Sequence, residues 1–150
     1  MWRGYWYVGL MFGLGMGGGS ACSSPDPDSV SCGPARPTFR LLVDTEQGMV
    51  PEDIRLRVRF GSGEEQFELG GTEDHKAIFC EVDRGSPTAA GPIVQLICDM
   101  WTDGAATIWI SASGFVDVHR DLEAVRDPHC GLRMSEVRVT LVHDSEQDGR

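Results

Sequence analysis

Alternation with period two constrains this chain more than any other feature. Ile54-Arg55-Leu56-Arg57-Val58-Arg59-Phe60 switches strictly between apolar and polar residues over seven positions. Successive side chains of a strand point to opposite faces, so the run reads as a half-buried strand with an arginine ladder toward solvent. Gly61-Ser62-Gly63 supplies a turn, and Gln66-Phe67-Glu68-Leu69 resumes the alternation. Glu64, Glu65 and Glu68 then lie near the ladder across the hairpin. Such cross-strand charge pairs are worth roughly a few tenths of a kcal/mol each, so the charges read as a solvated face rather than as a site.

Further strands are expected at residues 38–43, 77–82, 93–101, 106–112 and 137–142, with a weaker one within 115–125. Gly70-Gly71, Arg84-Gly85-Ser86-Pro87, Asp103-Gly104 and Ser113-Gly114 separate them as turns. No segment carries a helical period, although residues 121–126 have room for one turn. Seven to eight short strands and no internal repeat predict an all-β fold, a sandwich or barrel.

The start of the chain has a different character. Arg3 precedes an apolar run over residues 5–16, followed by Gly17-Gly18-Gly19-Ser20-Ala21. That is the order of charged, apolar and small-residue regions in a secretory signal peptide. The apolar part is about 12 residues, short of the roughly 20 that span a bilayer. Ser20-Ala21-Cys22 resembles the lipobox of bacterial lipoproteins, with Gly19 where that family prefers Leu. The resemblance implies that Cys22 is the acylated first residue of an exported protein, whose membrane partner is reached through that lipid. Ser23-Ser24-Pro25-Asp26-Pro27-Asp28-Ser29 is polar and suits a tether. The alternative is simple cleavage after Ala21. The expected division is signal peptide 1–21, lipid-anchored tether 22–37, β domain 38–143 and acidic tail 144–150.

One further resemblance concerns the domain. Ile108-Trp109-Ile110-Ser111-Ala112-Ser113-Gly114-Phe115 is similar to the penultimate strand of carboxypeptidase regulatory-like, transthyretin-like β-sandwich domains. Val137-Arg138-Val139-Thr140-Leu141 is similar to their closing strand. The resemblance covers residues 106–142 and implies an immunoglobulin-like/transthyretin-like sandwich that acts as an accessory or adhesive module rather than an enzyme.

The cysteines carry the next constraint. Five Cys is an odd number, and setting Cys22 aside leaves four. In an oxidising compartment four cysteines pair rather than bind metal. Cys80 shares a strand face with Ile78 and Val82, and Cys98 shares one with Leu96 and Met100. A connection containing Pro87 and Pro92 lets these strands lie antiparallel, which predicts Cys80–Cys98. Cys32 and Cys130 each lie six residues before a strand, at Thr38 and Glu136. First and last strands run parallel in immunoglobulin-like sandwiches, which makes these two neighbours and predicts Cys32–Cys130. Closing so long a loop contributes about 4–5 kcal/mol on the chain-entropy model. Asp127-Pro128-His129-Cys130 suggests zinc, but zinc sites need ligands paired at close spacing. His75, His119, His129 and His143 are scattered, so neither metal nor other cofactor is expected.

Net charge is −10, and Arg3 lies in the segment that export removes, so the mature chain is more acidic still. That surface repels nucleic-acid phosphates, which sets nucleic acid aside as a partner. Without Asn there is no N-glycosylation acceptor. No nucleophile elbow, Ser-x-x-Lys, His-Glu-x-x-His or phosphate loop occurs. Asp144-Ser145-Glu146-Gln147-Asp148 lacks the central Gly and distal Glu of a calcium loop and reads as a solvated tail.

The remaining expectation is a non-enzymatic binding or adhesive module at the cell envelope, with a structural accessory subunit as the alternative and a hydrolase last. The candidate ligand site follows from side-chain alternation. With Cys98 inside, Asp99 and Trp101 point outward; with Ile108 and Ile110 inside, Trp109 does too. If these strands are neighbours joined by a turn at 102–105, Trp109 falls opposite Asp99 and diagonal to Trp101. Two tryptophans beside a carboxylate would stack on a polysaccharide or on an envelope protein. Alternatively, residues 115–125 cover them as a minor core.

Overall fold

The computed structural model describes residues 32, 35–61, 63–86 and 91–145 of the 150. The signal segment, Cys22, most of the tether and residues 146–150 lie outside the described residues. Ten strands follow in order: β1 (Phe39–Thr45), β2 (Arg55–Phe60), β3 (Gly63–Glu68), β4 (Ile78–Asp83), β5 (Gln95–Met100), β6 (Ala106–Ser111), β7 (Val118–Leu122), β8 (Val125–Asp127), β9 (Gly131–Arg133) and β10 (Ser135–Leu141). The described part is all-β, with no helix.

Two four-stranded sheets carry the structure, ordered β10-β1-β5-β4 and β3-β2-β6-β7, and β8-β9 forms a separate small hairpin. The alternation of β2 is obeyed: Arg55, Arg57 and Arg59 are exposed, while Leu56 and Val58 are fully buried. Leu41 and Val43 of β1, Leu96, Cys98 and Met100 of β5, and Ile108 and Ile110 of β6 join them in one core fed by both sheets. Each fully buried side chain of this size contributes about 1.5–3 kcal/mol. Burial therefore outweighs the surface charge pairs by roughly tenfold per residue.

β1 and β10 pair in parallel from Phe39↔Ser135 to Thr45↔Leu141. This brings the chain segments preceding the two strands together, and Cys32 and Cys130 are joined there with Cα atoms 5.2 Å apart. Asp127 shapes the turn that presents Cys130, accepting from the His129 and Cys130 amides at 2.9 and 3.0 Å. β4 and β5 pair antiparallel with Cys80 directly opposite Cys98, and the second disulfide spans that rung with Cα atoms 4.1 Å apart. Both expected bridges are therefore present.

The weak strand expected within 115–125 is β7, from Val118 to Leu122. Two local expectations need correction. Residues 121–126 form no helical turn; Leu122 ends β7 and Val125 starts β8. Most consequentially, β5 and β6 lie in different sheets. A strand has two edges, and those of β5 are taken by β1 and β4. The chain must then cross to the other sheet, and Thr102 pins the crossing. Its amide donates to Thr38 Oγ1 at 3.2 Å, and its carbonyl accepts from that hydroxyl at 2.7 Å.

Polar contacts link the edges of the two sheets. Arg120 of β7 donates to the Arg138 carbonyl of β10 at 3.0 Å. At the other edge Glu65 accepts from the amides of Lys76 and Ala77 at 3.2 and 3.1 Å. Glu65 lies opposite Val58, on the same side of the hairpin as Phe67 and away from the arginine ladder it was expected to neutralise.

Candidate functional site

The sheet assignment separates the residues that alternation alone would have grouped. Asp99, on the first sheet, lies directly opposite Arg40 of β1. The two form a bidentate ion pair, with Nε–Oδ1 and Nη2–Oδ2 both at 2.7 Å. Hydrogen bonding to Asp99, with its charge second, raises the Arg40 pKa above its ordinary value. With both carboxylate oxygens engaged, Asp99 has a structural partner already. Trp101 follows β5, donates its amide to the Ala77 carbonyl at 2.8 Å, and is 43% exposed near Phe60, Gly61 and Gly63. Trp109 is on the other sheet. The expected cluster of Trp101, Trp109 and Asp99 is therefore not assembled.

Around Trp109 a different cluster forms. β6 runs between β2 and β7, so Trp109 is opposite Arg57 on one side and His119 on the other. The Arg57 guanidinium carbon lies 4.2 Å from the indole centroid, and that of Arg59 lies at 5.0 Å. His119 stacks on the same side chain at 5.1 Å with 11° between the planes. A guanidinium over an indole gains roughly 0.5–1 kcal/mol at an exposed site. That is comparable to an exposed ion pair, at roughly 0.2–1 kcal/mol, and the one indole gathers both arginines.

The arginine ladder is therefore divided. Arg55 pairs with Glu68 at 3.2 Å. Among the described residues, neither Arg57 nor Arg59 has a carboxylate within ion-pair distance, although Glu64 occupies the position opposite Arg59. In an acidic protein these are two cations held against one aromatic ring. Beside them lies a shallow groove of about 270 Å³ between Arg55, Arg57, Gln66, Trp109, Ser111 and Asp117. Outside this groove, Asp121 accepts from Thr107 at 2.8 Å and lies 4.0 Å from His119 Nε2.

Alternation placed Arg57, Arg59 and Trp109 on outward faces, but not on the same face. Only the β2–β6 pairing does that, and its register is non-local. Cys130 is spent in its disulfide, and among the described residues no three His, Cys, Asp or Glu side chains gather as a metal site. A wider hollow of about 550 Å³ over residues 112–117 also takes in Asp144. No family model, no curated protein and no solved structure matches this chain.

Proposed function

We propose that the protein is an exported binding module of the cell envelope. In this reading it is an immunoglobulin-like, transthyretin-like β-sandwich held at a membrane by lipid on Cys22. It has no catalytic role, and the outer face of β2 and β6 is its recognition surface. The observation that carries the reading is the stacking of Arg57 and Arg59 on Trp109, with no carboxylate among the described residues within ion-pair distance of either, on a chain of charge −10. Two disulfides support an oxidising destination. Parallel pairing of β1 with β10 and a core shared by both four-stranded sheets support the sandwich.

The test has two arms. Metabolic labelling with a fatty acid should mark the protein, and Cys22→Ser should remove the label and release the protein into the soluble fraction. In the second arm the full Cys22→Ser chain is incubated with stripped envelopes. It should bind, and Arg57→Ala with Arg59→Ala should abolish binding while the thermal midpoint moves by only a few degrees. No label on the wild type overturns the anchor. Unchanged envelope binding by the double variant overturns the recognition face.

A further inference from the structure

We infer that this face binds an acidic polysaccharide, a chain of uronic acid sugars, with Arg57 and Arg59 each taking a carboxylate. The inference rests on the binding-module reading above and names its ligand. Residues two apart on one strand face are separated by about 6.8 Å at the backbone, and both guanidinium carbons lie within 5.0 Å of one indole centroid, so Arg57 and Arg59 present two adjacent cations. Two adjacent forks suit a ligand that carries more than one carboxylate along its length. Guanidinium forks bind carboxylates through two parallel N–H···O bonds, and their weak hydration lets them do so at a surface.

The surroundings narrow the class. Glu68 and Asp117 stand beside the arginines, and Glu64 and Asp121 flank them. Four carboxylates around two unpaired cations repel a nucleic-acid duplex, which carries one charge per about 1.7 Å of its axis. A single polymer chain with one charge per sugar meets less of this repulsion. Asp117 also sets a second requirement. A carboxylate only accepts hydrogen bonds, and Gln66 and Ser111 in the same groove both donate and accept. The ligand must therefore bring donors as well as carboxylates. Sugar hydroxyls supply them, whereas the side chains of an acidic peptide do not. The indole does not act as a sugar platform, because the two arginines and His119 are already stacked against it. It holds the forks in place, and the ligand meets their edges.

The test uses the oxidised full chain carrying Cys22→Ser, titrated with polygalacturonate, with the same polymer after carboxyl reduction, and with polyglutamate. Binding is expected to polygalacturonate alone and should weaken steeply with salt. Arg57→Ala and Arg59→Ala should each weaken it more than tenfold, the scale of losing a bidentate charge-assisted pair. Paired Arg57→Lys, Arg59→Lys keeps the charge and the fold but loses the forks, and should still weaken it severalfold. Glu64→Gln should tighten it. Equal binding to the reduced polymer, or arginine variants that bind as well as wild type, overturns the inference. Binding to polyglutamate instead points to an acidic protein partner and also overturns it. If stripped envelopes are still held through Arg57 and Arg59 while polygalacturonate is not, the ligand class falls and the recognition face stands. If neither is held, both fall.

Discussion

Removing the Cys32–Cys130 bridge isolates the contribution of chain topology from that of packing. Both half-cystines are exposed, so a paired Cys32→Ser, Cys130→Ser substitution opens no cavity and buries no hydroxyl. The bridge joins residues separated by 98 positions, for which loop-closure entropy gives about 4.7 kcal/mol. Cys80–Cys98, with a separation of 18, gives about 3.2 kcal/mol and lies inside the larger loop. The inner bridge shortens the outer loop by its own length, which trims the outer contribution by only about 0.2 kcal/mol. A loss near 4.5 kcal/mol is then expected, a large share of the roughly 5–15 kcal/mol that holds most domains folded. In equilibrium urea unfolding, with a slope of about 2 kcal/mol/M, the midpoint should fall by roughly 2 M. A loss below about 1 kcal/mol, with the wild-type bridge verified by non-reducing peptide mapping, would refute the reasoning. It would mean that the unfolded chain already keeps these ends together.

Three smaller perturbations test other parts of the structure. Cys80→Ala with Cys98→Ala should cost more than its loop entropy alone, because Cys98 is fully buried and its sulfur leaves a void; urea midpoints of the two paired variants measure the difference. Trp109→Ala should cost about 1–2 kcal/mol in the same assay, from two cation–π contacts and a half-buried ring, and Trp101→Ala should cost less because Trp101 is 43% exposed. The Asp53 carboxyl is held below its ordinary 3.8 by hydrogen bonds from Ser113, and that of Asp127 by the His129 and Cys130 amides. A carboxyl depressed in the folded state stabilises fully above its unfolded pKa and loses that contribution as pH falls through the folded one. The thermal midpoint should therefore drop as pH falls below about 4, and less steeply in Asp53→Asn.

Legibility followed the range of the interaction. Period-two alternation exposed β2, and the turn glycines separated most of the other strands, because both signals lie within a few residues. The disulfides were readable because each half-cystine shared a face or an offset with its partner. Strand neighbours were not readable in the same way. Nothing within residues 93–112 reports that β1 occupies the second edge of β5, yet that fact sends β6 to the other sheet and Trp109 to Arg57. The β8–β9 hairpin has three residues per strand, too few for a period to register. The orientation of Glu65, by contrast, was available. It lies two residues before Phe67, so a strand that turns Phe67 inward turns Glu65 inward as well.

That inward carboxylate yields the last prediction. β3 and β4 are edge strands of different sheets, and edge strands with free amides invite pairing with other chains. Glu65 spans the gap by accepting from the amides of Lys76 and Ala77, each within 3.2 Å of both its oxygens. Hydrogen bonds to a charged acceptor contribute about 1.5–3 kcal/mol apiece, and a half-buried edge position puts each near the low end, about 3 kcal/mol together. Glu65→Ala should therefore lower stability by about that amount and free two donors beside β4. Glu65→Gln keeps one acceptor oxygen and should lose about half as much. Amide hydrogen exchange separates this local effect from a global loss. The Ala77 amide should lose protection in Glu65→Ala beyond the fall in global stability, while core amides such as Val58 track the global change alone. If the Ala77 amide tracks it too, Glu65 is not what closes this edge.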